Sequence, residues 1–129
     1  MTTRTELEVN ENSYAPVMLT LTSDGTTAIA SASIDSIEMT LIDVQSGDIV
    51  NSRQKQDVFG ANNCTMHATS GLFTWTVLVL DTTIVGTTPI GQREHHLATL
   101  TVTWDTTKQL QFEIQLNVLN LRSVPQVAP

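Results

Sequence analysis

The chain is 129 residues long, 40% hydrophobic and only 15% charged, with a formal charge of −7. That length makes one domain able to bury roughly two-thirds of the surface its unfolded chain exposes. The acidic balance, with Arg4, Arg53, Lys55, Arg93, Lys108 and Arg122 scattered, argues against a nucleic-acid or anionic-membrane partner, either of which needs a clustered basic surface.

Leu7 and Val9 alternate with Glu6 and Glu8, predicting a short first strand whose charged outer face suits a sheet edge. Pro16 leads into a strand over residues 17–22, closed by the turn signal Asp24-Gly25. Residues 28–33 are small, with weak strand character. From Ser36 the pattern hardens: Ile37, Met39 and Leu41 alternate with Glu38 and Thr40, and Ile42 breaks the period, predicting a bulge there. Gln45-Ser46-Gly47-Asp48 is a compact turn into Ile49-Val50. Residues 52–71 read as a loop with a short strand at 64–67.

Phe73, Trp75, Val77 and Val79 then alternate with Thr74 and Thr76 in the most hydrophobic strand, followed by a surface loop carrying Gly86, Pro89 and Gly91. The clearest pattern comes last. Ala98, Leu100, Val102 and Trp104 oppose Thr99, Thr101 and Thr103; after Asp105-Thr106-Thr107-Lys108, Leu110, Phe112, Ile114, Leu116 and Val118 oppose Gln111, Glu113, Gln115 and Asn117. A period of two over this length marks strands half buried against a core. No helical period persists, and seven or eight strands between regularly spaced turns predict an all-β sandwich with Trp75 and Trp104 inside. The domain plan is an arm and edge strand over 1–16, the sandwich over 17–121 and an extended tail over 122–129.

Candidate chemistry is sparse. His95 and His96 are adjacent, so on a strand they face opposite ways and cannot share a metal; they are expected to be surface residues preceding a strand. Cys64, with His67 three residues on, has no cationic neighbour in sequence and is expected to be a structural thiol. A lone cysteine excludes an internal disulfide and implies a reducing site of synthesis. Asp43, Asp81 and Asp105 fall at strand ends, where carboxylates can bind calcium, but their context is that of turns. The acids are expected on outward positions, serving solubility rather than hydrolysis. No enzyme, no cofactor and no metal is expected. The N-terminus has no apolar core of a signal peptide and no segment is long enough to span a bilayer, so a soluble protein made in the cytoplasm is expected. Pro125 and Pro129 keep the tail out of a strand ladder. The tails are expected to be held by a neighbouring subunit, with contacts at Arg4, Val124, Pro125, Val127 and Pro129.

The stretch from Ser70-Gly71 onward carries an ordered set of features: Gly71 opening an aromatic strand over 72–77, Asp81-Thr82-Thr83, a loop with Pro89-Ile90-Gly91, a strand over 97–104, the turn at 105–109 and a terminal strand over 110–119. It resembles the immunoglobulin-like β-sandwich domains of tailed-bacteriophage virion proteins, such as the N-terminal domain of baseplate upper proteins and capsid-decoration domains. A glycine expected in the last turn is absent, and residues 52–70 have no counterpart. The resemblance implies a single immunoglobulin-like antiparallel sandwich with extended termini and a non-enzymatic role in a virion. The expected role is a capsid decoration or cement subunit that contacts the major capsid protein and copies of itself and is synthesised in the host cytoplasm. A neck, tail or baseplate component is the near alternative. A carbohydrate- or cell-surface-binding module, which would need exposed aromatics, and a calcium-dependent adhesion domain are readings of other classes. No family residue carries over, because such domains act by surface contact.

Overall fold

Hydroxylated and charged residues in alternation with bulky aliphatics build eight strands in a computed structural model that describes residues 3–22 and 27–121. They are β1 (Thr3–Asn10), β2 (Ala15–Thr20), β3 (Ile34–Asp43), β4 (Gln56–Asp57), β5 (Cys64–Met66), β6 (Leu72–Val77), β7 (Arg93–Trp104) and β8 (Lys108–Leu119). One sheet runs β1-β8-β7-β3-β4 and the other β2-β6-β5. Their apolar faces meet in one core, with Phe73 of one sheet edge-on to Phe112 of the other at 6.0 Å between ring centroids. The fold is an all-β sandwich of two sheets.

Trp75 is fully buried and Trp104 nearly so, on the inner face where the alternation puts them. β7 and β8 pair antiparallel from Arg93↔Leu119 to Trp104↔Lys108, so the closing hairpin is continuous over twelve residues on each side. Gly71 opens β6 at φ +75°, and a Cβ there would lie 2.7 Å from the Leu21 carbonyl oxygen, so glycine meets both a backbone and a space requirement.

Several expectations need correction. The sandwich is not wholly antiparallel: β1 runs parallel to β8, from Thr3↔Phe112 to Asn10↔Leu119. β2 starts two residues earlier than the apolar run suggests. Pro16 is tolerated because β2 is a sheet edge, where one face of the ladder needs no donor. Asp24-Gly25 lies outside the described residues, and in place of a weak strand near 28–33 there is a 3-10 turn at Ser31–Ser33. The bulge of β3 is at its start, where the register shifts between Ile34 and Ser36, rather than at Ile42. Burial confirms the spacing: Ile34 and Ile37 are both buried three residues apart, then Met39 and Leu41 follow at two. The displaced Asp35 accepts a hydrogen bond from the Thr106 backbone N–H at 2.8 Å. That contact holds the β7–β8 turn, where Asp105 and Thr106 adopt positive φ without a glycine. Ile42 faces outward and bridges to Ile49. The irregular region also holds β4, two residues paired to Glu38 and Met39.

With both rings in the core, Trp75→Ala or Phe112→Ala is expected to cost about 3–5 kcal/mol in urea unfolding. A loss under about 1 kcal/mol for either would contradict the assigned faces.

Candidate functional site at the loop pole

The ends of six strands meet at one end of the sandwich. Asn10 and Arg93 both pair with Leu119, Asp43 pairs with His96, and Ala15 with Val77. The connecting segments 11–14, 44–53, 78–92 and 120–121 therefore share this pole. Hydrogen bonds tie two of them together: Asn12 N–H donates to the Thr82 carbonyl at 3.2 Å, and Ser13 N–H to the Thr82 side-chain Oγ1 at 2.9 Å.

Beneath these loops lies a buried polar network. Arg53, 2% exposed, grips the fully buried Asp81 through Nε–Oδ1 at 2.6 Å and Nη2–Oδ2 at 3.0 Å. Its Nη1 donates to Gln56 Oε1 and to the Asn62 carbonyl, and its guanidinium carbon lies 5.6 Å from the Trp75 ring centroid. Asp81 takes further hydrogens from Asn51 Nδ2 and from the Leu78 backbone N–H, each at 2.8 Å. Its carbonyl oxygen is 2.8 Å from His96 Nδ1, and His96 Nε2 is 2.6 Å from Glu94 Oε1. Glu94 in turn accepts from Val85 N–H, Gly86 N–H and Thr88 Oγ1 at 2.8, 2.8 and 3.0 Å. Gly86 is demanded by space: a Cβ would meet Glu94 Oε2 at 2.8 Å and Asp43 Oδ2 at 3.0 Å.

Burial by itself pushes the Glu94 carboxyl up, but the hydrogen bonds from His96, Val85, Gly86 and Thr88 outweigh it and hold it below the ordinary 4.5. The Cys64 thiol is pushed up to about 12, chiefly by burial, with Arg53 lowering it and Asp81 raising it. It stays protonated and unreactive at neutral pH, in line with a structural thiol. His67 makes no dyad with it, since its Nδ1 accepts from the Thr69 and Ser70 backbone in the turn before β6.

The outer surface of the pole is apolar. Of the nine large hydrophobics exposed among the described residues, Tyr14, Val44, Ile49, Val79, Leu80, Val85, Ile90 and Leu121 belong to it, and Met18 on β2 does not. Tyr14, Leu80 and Ile90 are 71%, 61% and 60% exposed.

The histidines and acids differ from expectation. β7 begins at Arg93, so both histidines lie within it, and His96 is fully buried while His95 faces outward to Asn117 Oδ1 at 2.6 Å. Asp43, Asp81 and Glu94 are inward and buried, not outward solubilising groups, because their strands and turns extend the core-facing phase past its last apolar residue. Asp105 sits in the β7–β8 turn at the opposite end from Asp43 and Asp81, and among the described residues no group of three metal-ligating side chains converges. Arg4 stands outward on β1, bonded to Glu113 Oε1 at 3.0 Å and to Gln115 Oε1 at 3.2 Å. Val124, Pro125, Val127 and Pro129 lie outside the described residues. Arg53, counted in sequence only as a scattered cation, has no local pattern that would reveal its role; Glu94 and His96 were detectable as positions in phase with Ala98.

No protein-family model and no curated protein matches the sequence. Among solved structures the chain is similar to a crystal structure of the periplasmic chaperone SfaE, with a TM-score of 0.47 and 10% identity over 99% of this chain and 57% of that one. The chain thus spans just over half that chaperone's length.

Asp81→Asn leaves Arg53 buried with no counter-charge and is expected to cost about 3–5 kcal/mol in chemical denaturation; a near-neutral change would show that the pair is dispensable. Because the Glu94 pKa is lower folded than unfolded, its stabilisation is present above the ordinary 4.5 and is lost as pH falls through the folded value. Glu94→Gln should be less stable at pH 7 and lose less on acidification to pH 3 than the parent. Parallel stability curves for the two would contradict this.

Proposed function

We propose that the chain is a non-enzymatic structural subunit of a bacteriophage virion, a decoration or cement protein that bridges neighbouring major capsid proteins on the shell surface after synthesis in the host cytoplasm. The virion setting rests on the resemblance of the residues from Ser70 onward to phage sandwich domains. The observation that carries a contact role is the loop pole, where eight of the nine large hydrophobics exposed among the described residues stand over the buried Arg53–Asp81 ion pair and the Glu94–His96 hydrogen bond. Apolar side chains displayed on loops with fixed backbones lose little freedom when a partner covers them, which favours binding. Several modest contacts per subunit, repeated over a shell, add up through multivalency.

The outer face of the larger sheet is suited to solvent. Arg4 pairs with Glu113 and Arg93 with Glu8 at 3.0 Å each, and Asn117 donates to Glu8 and accepts from Gln115. Both tryptophans are in the core, so neither offers a surface platform on which a sugar could stack.

The test is occupancy on particles assembled without the chain and then supplied with it. The parent protein should saturate capsids, and Leu80→Asp with Ile90→Asp should reduce occupancy at least tenfold at unchanged thermal stability. Deleting residues 124–129 should weaken incorporation while leaving the fold intact. Saturation of tails or baseplates in place of capsids would move the subunit to those structures, and undiminished occupancy of both variants would overturn the contact assignment.

A further inference from the structure

His96 lies between two acceptors. A backbone carbonyl oxygen, that of Asp81, faces Nδ1 at 2.8 Å, and Glu94 Oε1 faces Nε2 at 2.6 Å, with the ring fully buried. The carbonyl has no hydrogen to give. Glu94 has none to give either, because the donors around it, Val85 N–H on Oε1 and Gly86 N–H and Thr88 Oγ1 on Oε2, favour its ionised form, and a carboxylate only accepts. Both ring nitrogens must therefore donate, and a neutral imidazole carries only one N–H.

The surrounding charges point the same way. Glu94 faces His96 from its own strand, Asp43 stands opposite it in the β3–β7 ladder, and Asp81 approaches from the 3-10 turn Val79–Asp81. The cation packed into this cluster from the 44–53 segment is Arg53, and its fork is taken by Asp81. Leu116, opposite His96 on β8, carries no charge. Asp43 has the Ser46 hydroxyl at 2.7 Å as a neutral partner, so Glu94 and Asp43 together outweigh the fixed positive charge near them. A second proton on His96 supplies the missing cation.

We propose that His96 is a buried imidazolium acting as a proton-set latch. With both protons it fixes Glu94, and Glu94 clamps the 85–88 segment onto β7; when one proton leaves, one of the two ring bonds is lost and that segment is released. Val85, one of the exposed apolar residues of the pole, rides on the clamped segment. The latch is a property of the folded chain and does not depend on a virion role.

The test uses the unmodified, isotope-labelled chain. Long-range proton–nitrogen correlation spectra at pH 7 should show both His96 nitrogens protonated, with His67 and His95 as comparators in the same sample. Amide exchange at Val85 and Gly86, corrected for its intrinsic pH dependence, should lose at least tenfold in protection as pH is raised through the point where His96 gives up its proton. A singly protonated His96 at pH 7 overturns the proposal, as does unchanged protection of both amides across the His96 titration. In Glu94→Gln the second proton should be lost at least one pH unit lower than in the parent, and an unshifted titration would remove Glu94 from the latch.

Discussion

The pole of the sandwich depends on the ion pair between Arg53 and Asp81. Two loops, 44–53 and 78–92, meet there: Val50 and Ile84 pack on the core, and the Arg53–Asp81 contact joins one loop directly to the other. The pair is tolerable in the interior because its hydrogens and lone pairs are used: Arg53 also reaches Gln56 and the Asn62 carbonyl, and Asp81 also takes Asn51 and Leu78. Asp81 thereby joins the exit of β6 in the smaller sheet to His96 of β7 in the larger one. The apolar loop residues stay on the surface because the framework below them does not need their burial.

Where a strand was half buried, its sequence announced it. β6, β8 and β7 from Leu97 onward could be read, along with the inward tryptophans, since alternation is the direct imprint of one wet and one dry face; the first four residues of β7 could not. β4 left no imprint, because two residues are too few to show a period. The bulge at Asp35 is written in the three-residue gap between Ile34 and Ile37, whereas the break at Ile42 involves no shift of register. The network was harder. Extending the phase of Ala98 backward puts His96 and Glu94 inside, yet polar residue types argue against that position unless partners are known, and those partners come from residues 81 to 88. Arg53 and Asp81 are 28 residues apart, one in an irregular loop and the other just past β6, so their pairing is purely tertiary information.

The two faces of the larger sheet are held by different physics. Its inner face is a continuous apolar layer from Val9 through Ile114 and Leu100 to Met39. Its outer face is a ladder of paired charges and amides, in which Asn117 connects Glu6, Glu8, Gln115 and His95. Exposed pairs of this kind contribute little stability each. They leave no apolar strip along β1, whose outer edge would otherwise template another strand.

The parallel pairing of β1 with β8 carries a consequence for how the molecule is made. Arg4 and Glu113 are 109 residues apart, so β1 is synthesised well before β8, its ladder partner. During synthesis at about 5–20 residues per second, β1 waits for several seconds with its backbone groups in water. Glu6 and Glu8 suit that interval, since a charged strand without a partner resists joining another nascent chain. Closure of the sheet then comes as a late, long-range step, and the domain is finished by its own first eight-residue strand.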